Sequence, residues 1–259
     1  MRLPTLSQHL RPIAQVLGYV TMLAFVCVVA VVGPMECYAR SSSRLPLDSF
    51  VAVDNLILHP LGIQEYFGSG FVAKKTPVGS LVVTAGHICL EGGSLPSVIR
   101  VHDNHGHVYV AQPVAEGSPD TDTCVLLVPD LDEPVAPIGP MPKVSDSVVI
   151  LGCAEGLWSP GAVLTFDGRY GGKISIDDES VHIVTAPSAE GSSGGPVVDG
   201  MGRVFGIVVK VHAKFHHLVV LVDGESIKEL VRKASDSLAV KQGAVDAAVI
   251  EQGSDQEDD

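Results

Sequence analysis

Between Ser49 and Val222 the chain is written in short apolar, β-branched runs, each broken within a few residues by Gly, Pro, Asp or Asn. Gly70–Ala73, Leu81–Thr84, Val98–His102, Val108–Val114, Val125–Val128, Val148–Leu151, Lys173–Ile176, His182–Ala186 and Val204–Val211 are examples. None of this stretch sustains apolar residues at helical spacing. Many short strands with regular turn signals predict an all-β barrel or sandwich. A proline-rich stretch from Val128 to Pro142 divides the runs into two halves. After Val222 the period changes. Ser226-Ile227-Lys228-Glu229 matches a capping box, and Ile227, Leu230 and Val231 recur at helical spacing. A short helix ending near Ser235 is expected. Residues 236–259 then read as a disordered acidic tail, in which 239–259 carry Lys241 against Asp246, Glu251, Asp255, Glu257, Asp258 and Asp259.

With 259 residues and 46% hydrophobic content the chain can bury a large core. Its net charge of −13 comes with no basic run, which argues against a nucleic-acid partner, since phosphate contact needs clustered Lys and Arg. Residues 16–32 carry no charge and follow Arg2 and Arg11. They read as an export signal or a membrane anchor, with Cys37-Tyr38-Ala39 as a small-residue cleavage site. Either way, the folded domain is expected to be exported, periplasmic or extracellular, and held at the membrane if the segment stays. The expected division is 1–39 signal or anchor, 40–47 polar linker, 48–235 folded domain and 236–259 tail.

Three short segments carry chemistry. Thr84-Ala85-Gly86-His87 supplies a histidine, Asp122 opens the run Thr123–Val128, and Gly191-Ser192-Ser193-Gly194-Gly195-Pro196 sets a serine among glycines. A serine is a weak nucleophile until an imidazole takes its proton, and the imidazole needs a carboxylate to fix its tautomer and stabilise its charged form. The glycines allow a sharp turn that can aim the Gly191 and Ser193 amides at one oxyanion. Asp120 is the rival acid. Asp122 is preferred because it adjoins the apolar run, whereas Pro119-Asp120 reads as loop. His102, His105 and His107 have metal-like spacing, but Asp103-Asn104-His105-Gly106 reads as a hairpin tip, and no metal or cofactor is expected.

In order and motif these segments resemble the trypsin-like (chymotrypsin-fold) serine proteases, with their T-A-x-H and G-x-S-G-G-P signatures. The lead-in Gly68-Ser69-Gly70-Phe71-Val72 and the ending Leu218–Val222 are most similar to the HtrA-type branch, here with no PDZ-like domain expected beyond it. The resemblance implies two six-stranded antiparallel β-barrels, a cleft between them, and a serine endopeptidase using His87, Asp122 and Ser193. Its partner would be a protein or peptide substrate. A catalytically silent homologue that only binds and a virus-encoded polyprotein protease are the alternatives.

The resemblance also bears on selectivity and activation. Ser192 stands where activated digestive enzymes carry an aspartate that pairs with a new N-terminus, so activation by clipping is not expected. Pro187 stands where trypsin has the acid that selects Lys or Arg. With Val208, Val209 and Val211 it implies an apolar pocket for small or medium aliphatic side chains, and His212 or His216 selecting Glu or Gln is the competing idea. The triad would also bring Cys89 near Cys124. A disulfide is allowed there, but two buried thiols are the expectation, because an odd count leaves Cys153 unpaired.

Overall fold

The computed structural model describes residues 45–90, 95–176, 179–212, 215 and 217–254. The segment 16–32, its cleavage site, His216 and residues 255–259 lie outside the described residues. Six strands form a first closed barrel: β1 (Phe50–His59), β2 (Gly62–Thr76), β3 (Gly79–Ala85), β4 (Ser97–His102), β5 (Val108–Glu116) and β6 (Thr123–Val128), ordered β1-β2-β3-β6-β5-β4. Six more form a second: β7 (Ser147–Gly152), β8 (Leu164–Ile176), β9 (Glu179–Thr185), β10 (Pro196–Asp199), β11 (Val204–Val211) and β12 (Leu218–Asp223), ordered β10-β11-β12-β9-β8-β7. All neighbouring strands whose registers are resolved pair antiparallel. This is the double barrel that the family resemblance implies.

The continuous run Leu81-Val82-Val83 shows how the two barrels are joined. Successive strand side chains point to opposite faces. Val82 faces the core of the first barrel with Val51, Val53, Val101 and Leu126. Leu81 and Val83 face outward, but into a second cluster with Phe71, Val125, Val198, Val204 and Ile207 that bridges the barrels. A strand buried on both faces reads as a solid apolar run rather than an alternating one. The second barrel has its own core around Phe205, Ile150, Tyr170 and Val208. Phe50, Phe71 and Phe205 are wholly buried, each contributing about 1.5–3 kcal/mol relative to an exposed position.

The proline-rich connection runs along the junction, with Ala136 N–H donating to Val72 O and Gly139 N–H to Val204 O. A five-residue helix, α1 (Gly86–Leu90), comes directly after β3. The final helix, α2 (Gly224–Ser254), lays Ile227, Val231 and Ala234 on the bridging cluster. Two expectations about α2 need correction. It does not stop near Ser235: the sequence beyond, rich in Ala, Val, Lys and Gln and free of Pro, continues the helix to Ser254. Nor is its cap a Ser226/Glu229 box. Asp223 caps it, Oδ1 accepting from the Glu225 and Ser226 amides at 3.0 and 3.1 Å.

Candidate active site

His87 sits in the first turn of α1, and Asp122 in the loop entering β6, which is paired with β3. The carboxylate makes two bonds to one residue: Oδ1 accepts the His87 amide at 2.7 Å, and Oδ2 lies 2.7 Å from His87 Nδ1. That leaves Nε2 as the ring nitrogen facing away from the acid. Asp122 has φ +38°, a left-handed conformation rare outside glycine, which marks a strained position held by its surroundings. The Gly86 amide donates to Asp122 O at 2.8 Å. A Cβ at Gly86 would come 2.8 Å from Asp122 Oδ1, so the glycine of Thr-Ala-Gly-His is required by the approach of the acid. Burial alone would raise the Asp122 pKa, but the His87 hydrogen bond, the His87 charge and the backbone amides outweigh it and hold the carboxyl below its ordinary range. Asp120 is exposed and takes no part in this contact.

Cys89 and Cys124 form a disulfide, and the expectation of two free thiols is overturned. Each lies two residues beyond a member of the His87–Asp122 pair, so the geometry that joins those two also joins the cysteines. Cys153 remains free and buried, its thiol pushed up to about 12 by burial. It is therefore inert rather than nucleophilic at neutral pH.

Ser193 is half-buried at the centre of the glycine-rich turn before β10. Three carbonyls of this turn are held by backbone amides. Glu190 O accepts from Glu155 N–H at 2.6 Å, Ser192 O from Gly195 N–H at 2.9 Å, and Ser193 O from Ser69 N–H at 2.7 Å. In a trans peptide the N–H points opposite to the C=O. Fixing Glu190 O therefore aims the Gly191 N–H, and fixing Ser192 O aims the Ser193 N–H. Among the described residues neither amide donates to a backbone carbonyl, so both are available to an oxyanion. Gly191 and Gly194 have φ +85° and +80°. A Cβ on Gly191 would collide with Cys153 O, and one on Gly194 with Ser69 O.

The residues expected to line a specificity pocket differ in their surroundings. Pro187 is exposed. Val208 is fully buried in the core of the second barrel, with its amide bonded to Gly195 O. Val209 packs against the bridging cluster, and Val211 is half-buried near the end of β11. His212 is exposed beyond that strand. Of the three clustered histidines, each meets a different acid: His102 Asp54, His105 Glu133 and His107 Asp103. Asp103 is the buried organiser of that hairpin tip, accepting from the His105 and His107 amides.

Sequence reasoning missed two features. One is Ser69, whose role is visible only across the chain fold. The other is the pairing of buried Asp54 with Arg100 and His102, which joins strands β1 and β4.

The profile of the trypsin-like peptidase domain family matches residues 68–207, more than half of the chain. With the double barrel and the His87–Asp122 pair, this places the chain in the trypsin-like serine protease family. Among solved structures it is similar to the Rv3671c protease of M. tuberculosis in its active form, at 22% identity over 76% of this chain and 84% of that one, with a TM-score of 0.58. The inactive form of the same protein, carrying a serine-to-alanine change, gives 21% identity over 76% and 91%, with a TM-score of 0.56. At that identity the likeness is one of fold. No curated protein matches the sequence.

Proposed function

We propose that the chain is a serine endopeptidase working through an acyl-enzyme. Ser193 Oγ attacks the scissile carbonyl carbon while its proton passes to His87 Nε2. The oxygen of the tetrahedral intermediate takes the Gly191 and Ser193 N–H groups. As the C–N bond breaks, His87 gives that proton to the leaving amine, and water then repeats the sequence on the ester. Asp122 keeps Nδ1–H directed at itself and stabilises the imidazolium. The observation that carries this reading is the double contact of Asp122 with His87, side chain and amide together, in a family whose members cleave peptides.

The substrate is a protein or peptide, cut after a small or medium aliphatic residue. Pro187 cannot neutralise a Lys or Arg, and half-buried Val211 gives β11 an apolar edge. A hydrophobic pocket discriminates by only about 1–3 kcal/mol per methylene, so the preference is graded. Residues 16–32 direct the domain across the cytoplasmic membrane. The test is cleavage of a mixed peptide library by wild type and Ser193→Ala. Wild type should cut, and the folded variant should not. Ordinary turnover by Ser193→Ala would refute the assignment, and a profile dominated by Lys or Arg would refute the pocket.

A further inference from the structure

In the digestive enzymes of this family the oxyanion turn is locked by an aspartate paired with a new N-terminus. Here that position is Ser192. It is fully buried, and its hydroxyl finds no hydrogen-bond partner among the described residues. Backbone bonds already hold the carbonyls of Glu190, Ser192 and Ser193, which leaves the Gly191 carbonyl to be held by a side chain. The carbonyl of Gly191 lies between the two amides that face the oxyanion, and it accepts a hydrogen bond from Ser69 Oγ at 2.7 Å. Ser69 comes from β2 of the first barrel and has no exposed surface. Its hydroxyl in turn accepts the Cys153 amide at 2.9 Å, from the segment after β7 in the second barrel. The main chain of the same residue is fixed as well, its N–H donating to Ser193 O at 2.7 Å and its O accepting from Thr84 Oγ1 at 2.8 Å.

We propose that Ser69 is the positioning residue of the oxyanion hole. Its hydroxyl holds the carbonyl side of the Gly191–Ser192 peptide, whose N–H side donates to Ala189 O at 3.1 Å, and ties the Cys153–Gly156 segment to it, so that the Gly191 and Ser193 amides converge without an N-terminal ion pair. The inference rests on Ser193 being the nucleophile. The chemistry requires a side chain that donates and accepts at once in a small, sealed space, which is what a serine hydroxyl supplies. Removing it leaves a carbonyl and an amide buried without partners, and the Gly191–Ser192 peptide, then held only by the Ser192 N–H bond to Ala189 O, tilts to recover them. The hydroxyl touches no reacting atom and acts only through the backbone.

The experiment tracks phosphonylation of Ser193 by a fluorophosphonate, whose phosphoryl oxygen needs the same two amides. Saturation kinetics separate binding from the chemical step. Ser69→Ala should lower the maximal rate about tenfold or more, short of the ~10²–10³ lost with a whole oxyanion donor, and leave half-saturation unchanged. Ser69→Thr, which keeps the hydroxyl, should recover most of the rate. The downfield proton signal of His87 Nδ1–H should persist in Ser69→Ala, showing that the base is intact. If Ser69→Ala does not fold, Ser69→Cys fills the space with a poor donor and carries the same expectations. A variant that labels at the wild-type rate overturns the positioning role. So does loss of the His87 signal alongside the rate, because Ser69 would then be a general structural support. Wild type that fails to label at Ser193 overturns the nucleophile assignment itself.

Discussion

His87 and Asp122 are held by bonds made within one barrel, whereas Ser193 stands on a turn held from both. The His87–Asp122 half is nearly self-sufficient: strands β3 and β6 pair directly, a disulfide closes the two segments, and the aspartate bonds both the side chain and the amide of the histidine. The Ser193 turn is built from glycines whose conformations have little preference of their own, and its carbonyls are held by Glu155 and Gly195 of the second barrel and by Ser69 of the first. The His87–Asp122 pair therefore depends on local covalent and electrostatic structure, and the Ser193 turn depends on how the barrels dock.

This contrast can be broken most severely at Gly194. Its φ of +80° and the nearness of Ser69 O leave no room for a side chain. Gly194→Ala should cost about 3 kcal/mol or more and abolish activity, measured by denaturant unfolding and peptide cleavage together. A stable, active Gly194→Ala protein would mean that the docking of the turn on β2 is wrongly described.

On the base side, Asp122→Asn should lower turnover by about 10⁴, the loss typical when a serine-protease triad loses its acid, while Asp120→Asn should change it little. The opposite ranking would move the orienting acid to Asp120. The same residue carries a pH signature. Its folded pKa lies below the ordinary value of 3.8, so its contribution to stability is fully present above that value and is lost as pH falls through the folded pKa. Acid unfolding curves of wild type should show this loss, and those of Asp122→Asn should lack that component.

Opening the disulfide should have a smaller effect. Cys89 and Cys124 are 35 residues apart in sequence. Cys89→Ser with Cys124→Ser should cost about 2–4 kcal/mol by urea unfolding. Turnover should fall through the His87–Asp122 pair, with the oxyanion turn unaffected. An equal loss on Ser193 phosphonylation by Ser69→Ala and by the double cysteine variant, each with its His87 signal gone, would erase the distinction between the two halves.

Legibility in the sequence depended on the distance between partners. The strands were readable wherever a run was buried on one face or both, as at Leu81–Thr84 or Val204–Val211. The first half of β8, Leu164–Arg169, carries Thr, Asp, Gly and Arg and gave no comparable signal. His87, Asp122 and the Ser193 turn were visible because each sits in a short motif whose residues do their work locally. Ser69 was not, because its partner Gly191 is 122 residues away and nothing near Ser69 hints at a buried carbonyl. The disulfide was misjudged for a related reason. An odd cysteine count says nothing about pairing once Cys153 is sealed inside the fold. The capping box failed because Asp223, three residues before Ser226, offers a charged acceptor to the helix's first amides.

The most direct test of the proposed chemistry is to map where a fluorophosphonate attaches and what that attachment requires, by mass spectrometry of the intact protein and its peptides. A Ser193 nucleophile activated by His87 predicts a single adduct on Ser193 in wild type, none in Ser193→Ala, and labelling slowed by several orders of magnitude in His87→Ala. An adduct elsewhere, or labelling of Ser193 at full rate without His87, would contradict it.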